Sequence, residues 1–176
     1  GMIILMRKKW NIVLTGFMGT GKSTIGKRLS CKLNMDFVDT DKRIEDMENM
    51  TISEIFAQKG EAEFRRIESA VIEEISKYSN CVIATGGGVV LNRTNMDNLR
   101  KNGMIVYLES NVDAIIRNVS GDTGRPLLKK SNLREHIMNM LEQRKNYYMN
   151  YDYKVDVSNV SVEKAVDMIA EIYKSV

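Results

Sequence analysis

The residues with the most chemistry in their spacing are Gly16-Phe17-Met18-Gly19-Thr20-Gly21-Lys22-Ser23. They follow the apolar run Ile12-Val13-Leu14 and open a helical pattern, which is the setting that the phosphate-binding pattern G-x-x-x-x-G-K-[ST] requires. Glycines at 16, 19 and 21 admit positive φ and keep Cβ atoms away from the space between backbone N–H groups and an anion. A helix opening near Lys22 adds the positive end of its dipole, so phosphate oxygens meet donors and favourable potential together. Lys22 is expected to reach the β- and γ-phosphates of a nucleotide, and the Ser23 hydroxyl to hold Mg2+. The competing reading, a glycine-rich turn feeding an ordinary helix, is disfavoured by the strand before it and the helix after it.

Four further stretches carry polar groups at suggestive spacing. Asp39-Thr40-Asp41 ends a short apolar run. Read as the end of a strand, residues two apart point the same way and both carboxylates face one cleft. Ligands of open parallel sheets bind beyond the carboxyl ends of the strands. One carboxylate would then hold Mg2+, directly or through water, and the other would orient an attacking hydroxyl or accept its proton. The alternative is a solvated turn with helix-capping aspartates. Arg65 and Glu68, three apart within Glu63-Phe64-Arg65-Arg66-Ile67-Glu68, share a helix face, and a carboxylate-oriented arginine suits an anionic substrate; a solvated surface pair is the plainer reading. Gly86-Gly87-Gly88 follows an apolar strand and lets backbone N–H groups approach a small ligand. The residue before it is Thr85, where many phosphate-loop enzymes place a metal-binding acid, so Asp39 is the expected source of that carboxylate. Arg125, in Asp122-Thr123-Gly124-Arg125-Pro126, lies on a polar stretch able to close over a nucleotide. Arg144 is a further anion candidate, or else a solvent-facing charge.

Positioning such groups requires alternating strands and helices, and the chain supplies that alternation. Strands are expected at Trp10 to Thr15, Phe37 to Asp39, Cys81 to Thr85, Met104 to Leu108 and Tyr153 to Val157. Helices are expected at Lys22 to Leu33, from a capping box at Thr51-Ile52-Ser53-Glu54 to Gly60, and at Ala62 to Lys77. Further helices are expected at Arg93 to Lys101, Asn111 to Val119, Leu133 to Met149 and from Ser161 onward. The fold class is therefore α/β, three-layer α/β/α with a central five-stranded parallel sheet. At 176 residues, 43% hydrophobic and 28% charged, with a net charge of +3, a single domain over 1–176 with its own core is expected. Scattered lysines and arginines argue against a dedicated nucleic-acid surface. No apolar run approaches the ~20 residues of a membrane span, and Met2 to Met6 precedes its basic residues, a poor signal peptide. Cys31 and Cys81, far apart and each in an apolar context, are expected to be reduced, buried thiols in a cytoplasmic protein.

Together these stretches resemble the shikimate kinase family. The matching segments are 16 to 24, Asp39-Thr40-Asp41, residues 63 to 68, Thr85-Gly86-Gly87-Gly88 and Arg125-Pro126-Leu127-Leu128, in the family's order across most of the chain. The resemblance implies a phosphate-loop NTPase-type fold with a mobile lid over about 118–130 and a substrate-binding segment over about 39–68. It implies ATP- and Mg2+-dependent phosphorylation of the 3-hydroxyl of shikimate. Gly19, Thr20, Gly21, Lys22, Ser23, Thr24, Arg117 and Arg125 would contact the nucleotide, and Ser23 with Asp39 the metal. Asp41, Arg65, Glu68, Gly86, Gly87, Gly88 and Arg144 would bind shikimate, its carboxylate falling to the arginines and its ring hydroxyls to Asp41. Lys22, Asp41 and Arg125 would be the catalytic set. The partners expected are shikimate and ATP, with neither nucleic acid nor membrane, and the enzyme is expected to be a monomer.

One departure bears on the base. The family commonly places arginines on the adenine side, whereas Asn118 follows Arg117 here and Val157-Ser158-Asn159-Val160 is neutral. His136 and Trp10 are expected to be structural. Two rivals remain at this level: another small-metabolite kinase of the same fold, such as one acting on gluconate, and a nucleotide-dependent regulatory module without catalysis. Intact Lys22, Ser23, Asp39 and Asp41 argue against the second, and a guanine-nucleotide switch lacks its Asn-Lys-x-Asp sequence.

Overall fold

Strand β1 (Asn11–Thr15) is buried at every position, and its side chains divide between two cores. Val13 joins one, Ile12 and Leu14 the other, as the two-residue period of a strand demands. The computed structural model describes residues 10–120 and 130–176. In it β1 pairs in parallel with β3 (Cys81–Ala84) on one side and with β4 (Gly103–Glu109) on the other. β2 (Asp36–Asp39) lies outside β3 and β5 (Tyr153–Asp156) outside β4, giving the order β2-β3-β1-β4-β5 with every pairing parallel. The expected five-stranded parallel sheet is present.

Helices cover both faces. On the face of Ile12 and Leu14, α1 (Lys22–Leu33) contributes Ile25 and Leu29, and α8 (Val162–Ser175) contributes Ala165, Val166 and Ile169. On the face of Val13 and Ile83 lie Ile44 of α2 (Thr40–Glu48), Ile55 of α3 (Ile52–Lys59) and Phe64, Ile67 and Val71 of α4 (Glu61–Ile75). Met96 and Leu99 of α5 (Arg93–Arg100), Ile115 of α6 (Val112–Ser120) and Ile137 and Tyr148 of α7 (Lys130–Tyr148) complete that core. Each fully buried Ile or Leu of this kind contributes about 1.5–3 kcal/mol. The chain leaves β1 for one edge and crosses back after β3 to the other, so the carboxyl end of β1 sits where the winding reverses, the usual ligand position of such sheets.

Most expected elements are found within one or two residues, and the capping box at Thr51 and Glu54 is present on both sides. The exceptions have identifiable causes. Helix α2 was not expected, because Thr40 to Glu48 offers one deeply buried apolar side chain, Ile44, and periodicity cannot be read from one residue. It is started by Asp39, whose Oδ1 accepts from the Lys42 N–H at 3.1 Å. A 3-10 turn at Val89–Leu91 also lay outside the expected pattern. Cys31 is exposed, not buried; two residues past the buried Leu29, it sits on the opposite side of α1. Cys81 is buried, and burial pushes its thiol up to about 11. Among the described residues no helix is long and apolar enough to cross a membrane.

Candidate active site

The loop between β1 and α1 takes the conformation its glycines allow. Gly16, Gly19 and Gly21 have φ of 146°, 75° and 89°, a region L side chains rarely adopt. Gly21 stands at the N-cap of α1 without a side-chain acceptor, and no acidic residue occupies the helix's first turn, so no side chain of that turn neutralises the positive end of α1. Lys22 lies back along the loop, its Nζ donating to the carbonyls of Gly16 at 2.7 Å and Phe17 at 2.8 Å. Thr20 Oγ1 donates to the same Phe17 carbonyl at 2.9 Å. Thr24 is exposed on the first turn of α1.

Asp39 and Asp41 part company. The strand ends at Asp39 and α2 begins at Thr40, so the two carboxylates are not side by side on one strand as expected. Asp39 Oδ2 accepts from Ser23 Oγ at 2.5 Å while its other oxygen caps α2. Asp41, in the first turn of α2, meets the glycine run instead: a Cβ at Gly86 would overlap its carboxylate. The capping alternative thus holds for Asp39, though Asp39 also faces Ser23. Burial, and then the neighbouring Asp39, push the Asp41 carboxyl above its ordinary value, against the opposing pull of Lys22 and Arg65.

Arg65 and Glu68 extend this pocket from α4. Arg65 Nη1 lies 2.9 Å from Glu68 Oε1, and Glu68 is buried. A Cβ at Gly88 would overlap the Arg65 guanidinium, and one at Gly87 would lie 3.5 Å from Arg144 Nη1 and 3.8 Å from Tyr148 Oη. Gly86, Gly87 and Gly88 therefore form the wall onto which Asp41, Arg65 and Arg144 converge. The wall is pinned: Gly86 N–H donates to Thr40 Oγ1 at 2.9 Å, and Tyr148 Oη donates to the Gly87 carbonyl at 2.8 Å. Neither Thr40 nor Tyr148 was picked out from the sequence; the signal for Tyr148 was its place one helical turn beyond Arg144. Thr85 has a structural part, its hydroxyl donating to the Leu14 carbonyl at 2.8 Å.

Glu68 carries a testable electrostatic signature. Its burial outweighs the attraction of Arg65 and raises the carboxyl above 4.5. A group raised in the folded state contributes stability that is complete below its unfolded pKa and is lost as pH rises through the folded one. Glu68→Gln removes that loss. Denaturant midpoints of the ligand-free proteins are expected to match below pH 4.5 and to favour the variant increasingly toward neutrality. A widening gap in favour of the parent would mean that the Arg65 pair outweighs burial.

On the other side of the loop is a cavity of about 240 Å³ lined by Thr20, Gly21, Ile25, Arg117, Asn118, Val157 and Ser158, among others. Arg117 Nη2 donates to the Ser158 carbonyl at 3.4 Å, and Asn118 Nδ2 donates to the Gly19 carbonyl at 2.6 Å. Asn118 therefore ties the end of α6 to the phosphate loop. Arg125 lies outside the described residues. A larger hollow of about 410 Å³ sits at the opposite, amino end of β4 and β5, where Arg100 is paired with Asp152 at 2.7 Å and with Asn150 at 2.6 Å.

This geometry has counterparts in known proteins. The family described as Shikimate kinase matches residues 18–174. The shikimate kinase of Caldanaerobacter subterraneus subsp. tengcongensis is 45% identical over 163 residues, 93% of this chain and 95% of that protein. The structure of shikimate kinase from Acinetobacter baumannii in complex with shikimate aligns with a TM-score of 0.87 at 32% identity, over 94% of this chain and 93% of that one. A gluconokinase from Sinorhizobium meliloti shares the fold alone, at 18% identity and a TM-score of 0.55 over 96% of this chain and 97% of that one. The architecture is of the phosphate-loop NTPase type. With a family match and relatives that run almost end to end, the chain belongs to the shikimate kinase family.

Proposed function

We propose that this chain transfers the γ-phosphoryl group of ATP to the 3-hydroxyl of shikimate, with the residues around Gly86 to Gly88 as the acceptor pocket. The observation that carries this reading is the convergence of one carboxylate, Asp41, and two guanidinium groups, Arg65 and Arg144, on a glycine wall. That pocket matches a ring bearing hydroxyls at one end and a carboxylate at the other. Membership in the family makes the protein an ATP-dependent phosphotransferase.

The chain's own groups divide the work. The positive end of α1 and the loop N–H groups hold the nucleotide phosphates, and Lys22 leaves the Gly16 and Phe17 carbonyls to meet the transferring group. Arg65, oriented by Glu68, and Arg144 hold the acceptor's carboxylate. Asp41 accepts a hydrogen bond from the 3-hydroxyl and is placed to take its proton as the oxygen attacks in line. The hard oxygens of Ser23 and Asp39, 2.5 Å apart, fit Mg2+, which favours carboxylate, phosphate and water ligands. When bound there it neutralises charge on the phosphates. The cavity beside Arg117 and Asn118 takes the base. A cytoplasmic monomer of one domain is part of this reading.

The deciding measurement is ADP release in a coupled assay. Turnover is expected to need shikimate, ATP and Mg2+ together and to stop when Mg2+ is chelated. Release no faster than background with all three present would sink the acceptor assignment.

A further inference from the structure

Tyr148 is built into the acceptor pocket, although its ring belongs to the core. The ring lies flat against Tyr107, with centroids 5.4 Å apart and planes 6° from parallel, and Tyr151 lies on Tyr107 at 5.8 Å. Burial raises the Tyr148 hydroxyl above its ordinary pKa and pushes that of Tyr107 up to about 12, so both stay protonated. The Tyr148 hydroxyl has one proton, and it goes to the Gly87 carbonyl at 2.8 Å. Its lone pairs are thereby left for a donor. Arg144, four residues earlier on the same face of α7, carries donors only, and its Nη1 and the Tyr148 Oη lie 3.5 Å and 3.8 Å from the position a Cβ on Gly87 would take.

The polarity these groups allow is one-way: the Tyr148 O–H goes to the Gly87 carbonyl, and the tyrosine oxygen is left to face the donors of Arg144. Resting on the function proposed above, we infer that Tyr148 is a positioning residue that holds the Arg144 guanidinium and the Gly87 peptide at one fixed separation, so that the acceptor's carboxylate meets a preset arginine. A guanidinium on a long side chain loses rotamer entropy when it binds. Fixing it beforehand leaves more of the interaction for affinity. Thr40 pins the same wall from the other side through the Gly86 N–H, but it does not touch Arg144 in the described contacts, which makes Tyr148 the link between wall and arginine.

Tyr148→Phe removes the hydroxyl and keeps the ring stacked on Tyr107, so kinetics and thermal melting separate the two roles. The full chain would be measured with shikimate and ATP. An analogue with CH2OH in place of the carboxylate would be measured as a competitive inhibitor. KM for shikimate is expected to rise about 10- to 100-fold, the range for a hydrogen bond to a charged group. kcat is expected to fall by no more than roughly twofold, with KM for ATP unchanged and melting little altered, since the stack that anchors the ring remains. The inhibition constant of the CH2OH analogue is expected to be the same in both proteins, because that ligand has no carboxylate for Arg144 to hold. An unchanged KM for shikimate would overturn the inference. So would equal losses for shikimate and the analogue, which would make the hydroxyl a support of the pocket as a whole. A parent enzyme inactive on shikimate would remove the functional reading and this inference together, whereas an active parent with an unaffected variant removes the inference alone.

Discussion

Asp41→Asn is expected to lower kcat by about 100- to 10,000-fold, the usual range for losing a general base, and at the same time to make the ligand-free protein more stable near neutral pH. Both effects have one cause. Asp41 sits in the first turn of α2 between the glycine wall and Arg65, and burial together with Asp39 disfavours its charged form. A carboxyl raised in this way is a stronger base for a substrate hydroxyl. It also makes the ionised group a cost to the fold: its contribution to stability is complete below 3.8 and is lost as pH rises through the raised value. Asparagine has nearly the same shape and no charge, so it removes the base and the cost together. Nucleotide affinity should stay within about twofold, because the phosphate loop is held by Lys22, Thr20 and α1 and not by Asp41. Coupled-assay rates, ATP titration and thermal melting of the same preparation check all three. Lost ATP binding would show that Asp41 is misassigned, and a lower melting temperature at neutral pH would show that its charge is compensated in the fold.

Gly88→Ala is expected to raise KM for shikimate by roughly 30-fold or more, with little change in affinity for ATP. Gly88 has φ −96° and ψ 1°, which any residue adopts, so the added methyl brings no backbone strain. Its Cβ would fall on the Arg65 guanidinium. Arg65 would have to move, breaking its 2.9 Å pair with Glu68 and leaving a buried carboxylate alone. Disrupting one side of a buried, hydrogen-bonded charge pair costs about 2–5 kcal/mol. The neighbouring substitution Gly86→Ala makes a contrast, since its Cβ meets Asp41 instead; its loss should appear mainly in kcat. Steady-state kinetics of the two variants side by side is the check. An identical pattern in both would mean that the glycine run is only a turn and not a wall with separate stations.

Much of this architecture was legible in the chain. The buried run Ile12-Val13-Leu14, the positive-φ glycines and the helix that opens at Lys22 are local features, set by residues within about one turn of one another. The capping box at Thr51 and the apolar stripes of α1, α4 and α8 are local in the same sense. The helix after Asp39 was illegible because its stability comes from one buried isoleucine and a cap, not from a repeating stripe. Reading Asp39 and Asp41 as neighbours on a strand therefore assigned their common cleft by the wrong geometry, even though both reach the site.

By itself the sequence determined a glycine loop of phosphate-binding pattern at the start of α1, a parallel sheet behind it, and which acids and arginines are candidates for the site. Tertiary structure decided how those groups are divided: Asp39 toward Ser23, Asp41 toward Gly86, Arg65 toward Gly88, and Tyr148 between Arg144 and Gly87. The physical reason is range. Backbone conformation and caps are encoded within a few residues, whereas the Gly86–Thr40 and Tyr148–Gly87 hydrogen bonds join positions 46 and 61 residues apart and exist only once the sheet order brings α2, α7 and the end of β3 to one place.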